Sequence, residues 1–182
     1  SPLIMVDTSE VKPWAAFKSG TYSRFNLTHA LIVRGLVEKC SHAGEIQLLV
    51  GVVSPYAAQA RLIQGLLSEQ FGDRAAGVSA TVHRYQGNEK RIVILDLTDS
   101  TGVRLGAFLK AVDVREDGAR LLNVAASRAR DQLVIVGNLE YLKAQAPQNG
   151  IVEMMLAHFR DRGTRVDAAD LLPTDAKAWF DA

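Results

Sequence analysis

The sequence predicts an α/β fold built on a mainly parallel sheet with helices on both faces. Two observations carry this. Four short runs, Leu3–Val6, Leu48–Val53, Ile92–Leu95 and Leu133–Val136, are rich in aliphatic and β-branched residues and lack polar alternation. Strands covered on both faces read this way. Between the runs, apolar residues recur at three- and four-residue steps, and strands alternating with helices of that length form parallel sheets.

Taken in order, residues 3–6 form the first strand. Asn26 or Thr28 then caps a helix whose stripe is Ala30, Val33, Val37 and Cys40, ending near Gly44. The second strand, residues 48–53, runs into Ser54 and Pro55, and a helix follows with Ala58, Leu62, Ile63, Leu66 and Leu67 on one side, ending near Gly72. Residues 78–82 make a weaker strand and residues 92–95 a strong one. A third helix contains Leu121, Val124 and Ala125 ahead of the strand at 133–136, and a fourth runs from Ile151 through Phe159 to a stop at Gly163. Residues 98–118 read as a loop with a short hydrophobic patch at Leu105, Phe108 and Leu109. Residues 1–163 thus form one lobe and residues 164–182 a C-terminal tail.

Composition narrows the function. The chain has 182 residues, 48% of them hydrophobic, and Lys+Arg 21 against Asp+Glu 20 leave a net charge of +1, which excludes a generally polybasic binder of nucleic acid. One cysteine, Cys40, excludes a disulfide framework and a cysteine-built metal site and suits a reducing, cytoplasmic setting. No apolar run is long enough to span a membrane. Ser1 leads straight into a strand, which suggests a piece excised from a longer chain.

Three polar segments stand out. Residues 54–61 (S-P-Y-A-A-Q-A-R) follow a buried strand: they read either as a plain strand-to-helix turn or as a loop sending Gln59 or Arg61 to a ligand at the sheet edge. Residues 81–90 (T-V-H-R-Y-Q-G-N-E-K) crowd polar groups between two strands, where Gly87 permits close backbone approach and a carboxylate can accept from ribose hydroxyls. There Thr81 and His83 are candidates for phosphate contact, although His83 alone also reads as a surface histidine. Arg84, Lys90 and Arg91 read as a solvated face. Residues 122–131 (L-N-V-A-A-S-R-A-R-D) place Arg128 and Arg130 two apart. On a helix they diverge by about 200°, so they serve one ligand only if the helix ends between them. A rigid guanidinium suits charge on a transferring phosphoryl group; surface arginines on an ordinary helix are the plain alternative.

Together, in this order, the segments resemble motifs IV, V and VI of the second RecA-like lobe of superfamily 1 helicases, in the 5′→3′ branch that includes the nonsense-mediated-decay helicases. Ser23-x-x-Asn26 and Gly137-Asn138 match as well, and the resemblance covers residues 3–163. It implies a RecA-like, three-layer fold of the P-loop NTPase type and one half of a two-lobe ATPase. It implies Arg128 as arginine finger, Gly87, Glu89, Gln59, Arg61 and Arg130 near ATP, and Ser54, Thr81 and His83 on the backbone of single-stranded DNA or RNA. Some members of the family that the chain resembles carry an arginine just after the Gln or within the Tyr-x-x-Gln segment of motif IV, positions that are Ala60, Ala57 and Ala58 here, with Arg61 the nearest substitute.

No G-x-x-x-x-G-K-[ST] loop occurs, and Asp96 is followed by Leu97 rather than by a catalytic glutamate, so Asp96 reads as a strand-end acid. The phosphate loop and the magnesium ligands are therefore expected in an N-terminal RecA-like lobe, and this chain alone is expected to hydrolyse ATP negligibly. The competing reading is a non-catalytic RecA-like interaction module that has lost motor activity.

Overall fold

The computed structural model describes residues 2–85 and 89–172. Six strands form one parallel sheet in the order β5-β4-β6-β7-β1-β8. These are β1 (Leu3–Asp7), β4 (Val50–Ser54), β5 (Ser79–Thr81), β6 (Lys90–Asp96), β7 (Ala129–Gly137) and β8 (Thr164–Asp167). A small antiparallel hairpin, β2 (Ala15–Phe17) with β3 (Arg24–Asn26), lies outside this sheet.

The continuous apolar runs have a direct structural cause. Alternate residues of each strand feed two separate cores. Val6, Val50, Val52, Ile94, Val134 and Val136 pack with α1 (Leu27–Ser41) and α3 (Ala57–Phe71) on one face. Met5, Val53, Val93, Leu95, Leu133 and Ile135 pack on the other with α4 (Asp117–Ala126), α5 (Leu139–Gln145) and α6 (Ile151–Arg162). The expected three-layer α/β fold is therefore present.

Asn26 caps α1, its side chain accepting from the His29 N–H, and Gly163 stands at the end of α6. The second strand starts later than the sequence suggests, because Leu48 and Leu49 belong to the one-turn helix α2 (Ile46–Leu49). The loop patch is real: Leu105 and Leu109 are buried, and Phe108 meets the Tyr56 ring edge-on at 5.8 Å.

The expected tail from residue 164 needs correction. Residues 164–167 are β8, pairing parallel to β1 from Ile4↔Thr164 to Asp7↔Asp167, and Ala168, Leu171 and Leu172 join the first core. An edge strand exposes one side and leaves its polar residues in water, so T-R-V-D carries no apolar run by which to recognise it. The hairpin and the seven-residue α5 escaped for a similar reason, being too short for a period to register.

Glycine matters most at Gly51. A Cβ there would lie 1.4 Å from the Tyr85 hydroxyl, so only glycine leaves room for the Tyr85 ring against β4. Burial pushes the Tyr85 phenol up to about 12.

Candidate functional site

The polar residues picked out by sequence separate onto two opposite edges of the sheet. Seven residues of β6 lie between those edges, about 20 Å of extended chain. Glu89, Arg128 and Arg130 lie at the strand N-termini, whereas Ser54, Gln59, Arg61, Thr81 and His83 lie at the strand C-termini.

At the N-terminal edge, Glu89, Arg128 and Arg130 come together. Helix α4 ends at Ala126, ahead of both arginines, so the helical divergence does not apply to them. Arg128 occupies the turn, its N–H donating to Ala125 O at 3.3 Å, and Arg130 lies on β7. The Lys90 N–H donates to Arg128 O at 3.0 Å, which ties this turn to the residue after Glu89. Arg130 Nε then reaches Glu89 Oε2 at 2.9 Å. Both side chains are largely open to water (65% and 46% exposed), so the pair is worth at most about 1 kcal/mol and a ligand can replace it at little cost. Arg128 differs: its Nε is buried and has no hydrogen-bond partner among the described residues. A buried donor left unsatisfied costs about 1–3 kcal/mol. Gly87 falls outside the described residues.

The C-terminal edge corrects two assignments. Ser54 is fully buried, its Oγ sharing a hydrogen bond with Thr98 Oγ1 at 3.0 Å and accepting from the Tyr56 N–H. It therefore has no surface with which to grip a nucleic-acid backbone. Gln59 is equally buried: its Oε1 accepts from Asn26 N at 2.7 Å, and its Nε2 donates to Asn26 O and to Asp96 Oδ2 at 2.6 Å. Its amide is spent inside the fold, so it braces α1 against α3 and β6 and does not face a nucleotide. Arg61 is exposed, with Nε donating to Ala57 O along its own helix, and Ala60 points into the interior. Thr81, half-buried, pairs in register with Ser54 at the end of β5 and opens a turn that presents exposed His83 and Arg84.

Sequence reasoning missed the polar interior that holds this edge. Asp96 accepts from Gln59, from the Thr98 N–H at 2.9 Å and from His29 Nδ1 at 2.8 Å. With Nδ1 as donor, His29 Nε2 is the acceptor for Thr8 Oγ1 at 2.9 Å. Ser23 and Asn26, noticed as a pair, have distinct duties. Ser23 Oγ accepts from Ala58 N in the first turn of α3, whereas Asn26 caps α1. Between them, Arg24 meets the buried Asp99 at 2.7 Å and lies 5.0 and 5.1 Å from the Phe17 and Tyr56 ring centroids. Burial pushes the Asp99 carboxyl above the usual range, against the opposing pull of Arg24 and of the Gly106 N–H. An acid following a strand end and an arginine in a hairpin were the available signals, 75 residues apart and unconnected until folded.

Among the described residues no helix is long and apolar enough to cross a membrane, and no cluster of His, Cys, Asp and Glu could hold a metal ion. A family profile described as an AAA domain matches residues 1–140. The chain is 34% identical over 144 residues to a DNA polymerase alpha-associated DNA helicase A from Saccharomyces cerevisiae, covering 78% of this chain and 20% of that protein. It is 27% identical over 168 residues to the human DNA replication ATP-dependent helicase/nuclease DNA2, covering 92% of this chain and 14% of that one. A regulator of nonsense transcripts 1 homolog from Arabidopsis thaliana shares 31% over 153 residues, covering 82% and 11% respectively. The chain thus spans a fifth or less of these relatives.

Proposed function

This chain belongs to the AAA-domain family carried by superfamily 1 helicases, and we propose that it acts as the second of two RecA-like lobes in an ATP-driven motor on single-stranded nucleic acid. The observation that supports this most is the state of Arg128, whose backbone is held by the turn after α4 and by β6 and whose buried Nε has no hydrogen-bond partner among the described residues. An arginine carried on a held backbone, with its guanidinium uncommitted within the fold, suits charge on a transferring phosphoryl group.

In this reading ATP lies against the N-terminal edge, and Arg128 meets its γ-phosphate. Glu89, freed from Arg130, accepts from the ribose, while Gly87 and Arg130 approach the phosphates. Magnesium would be held by the facing lobe and would neutralise phosphate charge there. Thr81 and His83 hold the strand backbone at the opposite edge, and the segment 81–89 covalently joins the two sites.

The test is Arg128→Ala in a protein that supplies both lobes. Turnover falls by about 10³ to 10⁵-fold, the usual worth of an arginine finger, while affinity for single strands is unchanged. Wild-type turnover in that variant refutes the assignment. Absent turnover in the unmodified two-lobe protein favours the non-catalytic module instead.

A further inference from the structure

The large aromatic rings left exposed among the described residues all fall between positions 14 and 22: Trp14 at 63%, Phe17 at 48% and Tyr22 at 94%. They sit on and beside the β2–β3 hairpin, which rests on the C-terminal edge. Ala15 N donates to Thr101 O at 2.8 Å, Ser100 Oγ donates to Pro13 O, and Asn26 Nδ2 donates to Thr98 O.

Two of these rings are held firmly. The Trp14 indole lies against Gly102, where a Cβ would come within 2.5 Å of Cε2 and 2.7 Å of Nε1. Gly102 also has φ +96, which favours glycine, so the floor beneath the indole stays flat. Phe17 stands opposite Arg24 across the hairpin and has the guanidinium 5.0 Å from its ring centroid. Arg24 in turn is anchored to buried Asp99. Each ring therefore has one supported side and substantial area open to solvent.

The exposed charges closest to the rings along the chain are cationic, and the nearest carboxylate, Asp99, is buried beneath Arg24. No Asp or Glu occurs between Glu10 and Glu38, a stretch that includes Lys12, Lys18 and Arg24. None occurs between Asp99 and Asp113, where Arg104 and Lys110 stand. Lys12, Lys18, Arg104 and Lys110 are all exposed. Supported aromatic rings flanked by exposed cations match a chain of planar bases joined by phosphates. Protein interfaces instead deplete lysine around their aromatic anchors.

We propose that this hairpin is a base-stacking surface for single-stranded nucleic acid, with Trp14 and Phe17 as the stacking rings and Lys12, Lys18 and Arg104 meeting phosphates. It rests on the reading that the strand crosses the edge marked by Thr81, and it adds contacts to bases beyond that backbone grip.

The 182-residue chain carrying Trp179→Phe leaves Trp14 as its sole tryptophan. Titration with oligo(dT) of about 15 nucleotides, within the span a stacking groove accommodates, should quench its emission. Trp14→Ala and Phe17→Ala should each weaken binding by about five- to a hundred-fold, the loss of one stacked base, with the melting curve unchanged. Trp14→Phe should keep most of the affinity. Lys12→Ala with Lys18→Ala should lower the salt dependence by up to about two phosphate contacts. Unquenched Trp14 at saturation, as expected of a protein-docking patch, overturns the proposal. So do full-strength binding by both alanine variants and loss of binding on Thr81→Ala with His83→Ala alone, and these outcomes leave the edge reading standing. If the unmodified chain binds no oligonucleotide, both fall.

Discussion

Arg24→Ala tests how the hairpin is held. The side chain is 11% exposed and its partner Asp99 is fully buried, so the substitution leaves a carboxylate inside the protein without its counter-ion. Breaking such a pair from one side typically costs about 3–5 kcal/mol. Asp99 keeps two donors, the Gly106 N–H at 2.6 Å and the Tyr56 hydroxyl at 3.3 Å, which places the expected loss near 3 kcal/mol. For a chain of this length that is about 6–12 °C in melting temperature. The pH dependence follows from linkage. Asp99 holds its proton more tightly folded than unfolded, so its contribution falls as pH rises from about 4 through the raised folded value. Removing Arg24 removes an influence that lowers this value and extends the window upward. The Arg24→Ala penalty is therefore largest at neutral pH and shrinks toward pH 4, where the carboxyl is neutral. Asp99→Asn in the Arg24→Ala background should recover much of the loss and flatten the pH dependence. Urea melts from pH 4 to 8 on the four proteins of the cycle measure this. A loss below about 1 kcal/mol, or one that grows as pH falls, refutes the reasoning.

Gln59→Leu should destabilise by about 3 kcal/mol or more, because it strands Asn26 N, Asn26 O and one Asp96 oxygen in the interior; a denaturant melt reads this. Gly51→Ala drives a methyl into Tyr85 and should cost at least about 1–3 kcal/mol, and a double-mutant cycle with Tyr85→Ala should show strong coupling. Tyr85→Phe should be neutral or slightly stabilising on the same melt, because the buried hydroxyl has no hydrogen-bond partner among the described residues. Glu89→Gln should shift stability by less than about 1 kcal/mol yet weaken nucleotide affinity in a two-lobe protein, as isothermal titration would report.

Both the layers of the sheet and the order of the motifs were legible, for a shared reason. Unbroken apolar runs over Ile92–Leu95 and Leu133–Val136 record burial on two faces, and the order of three polar segments, each short, marks the family. Where a side chain's task is set by a distant partner, the linear pattern is silent. Ser54 and Gln59 sit in a motif that invites a ligand, yet each has its polar atoms committed within the fold. Arg24 carried a signal too weak to read alone, since its meaning depends on Asp99, 75 residues away.

The sequence by itself determined five of the six strands of the main sheet, the main helices and the family, because these follow from short-range periodicity and the spacing of a few polar residues. Tertiary structure alone decided which candidates face solvent and on which edge. Burial and hydrogen-bond commitment depend on where the chain crosses itself: Glu89 meets Arg130 across two strands, Asp96 joins His29 to Gln59, and the T-R-V-D segment becomes a strand only beside β1. Those crossings are long-range contacts, and no local pattern encodes them.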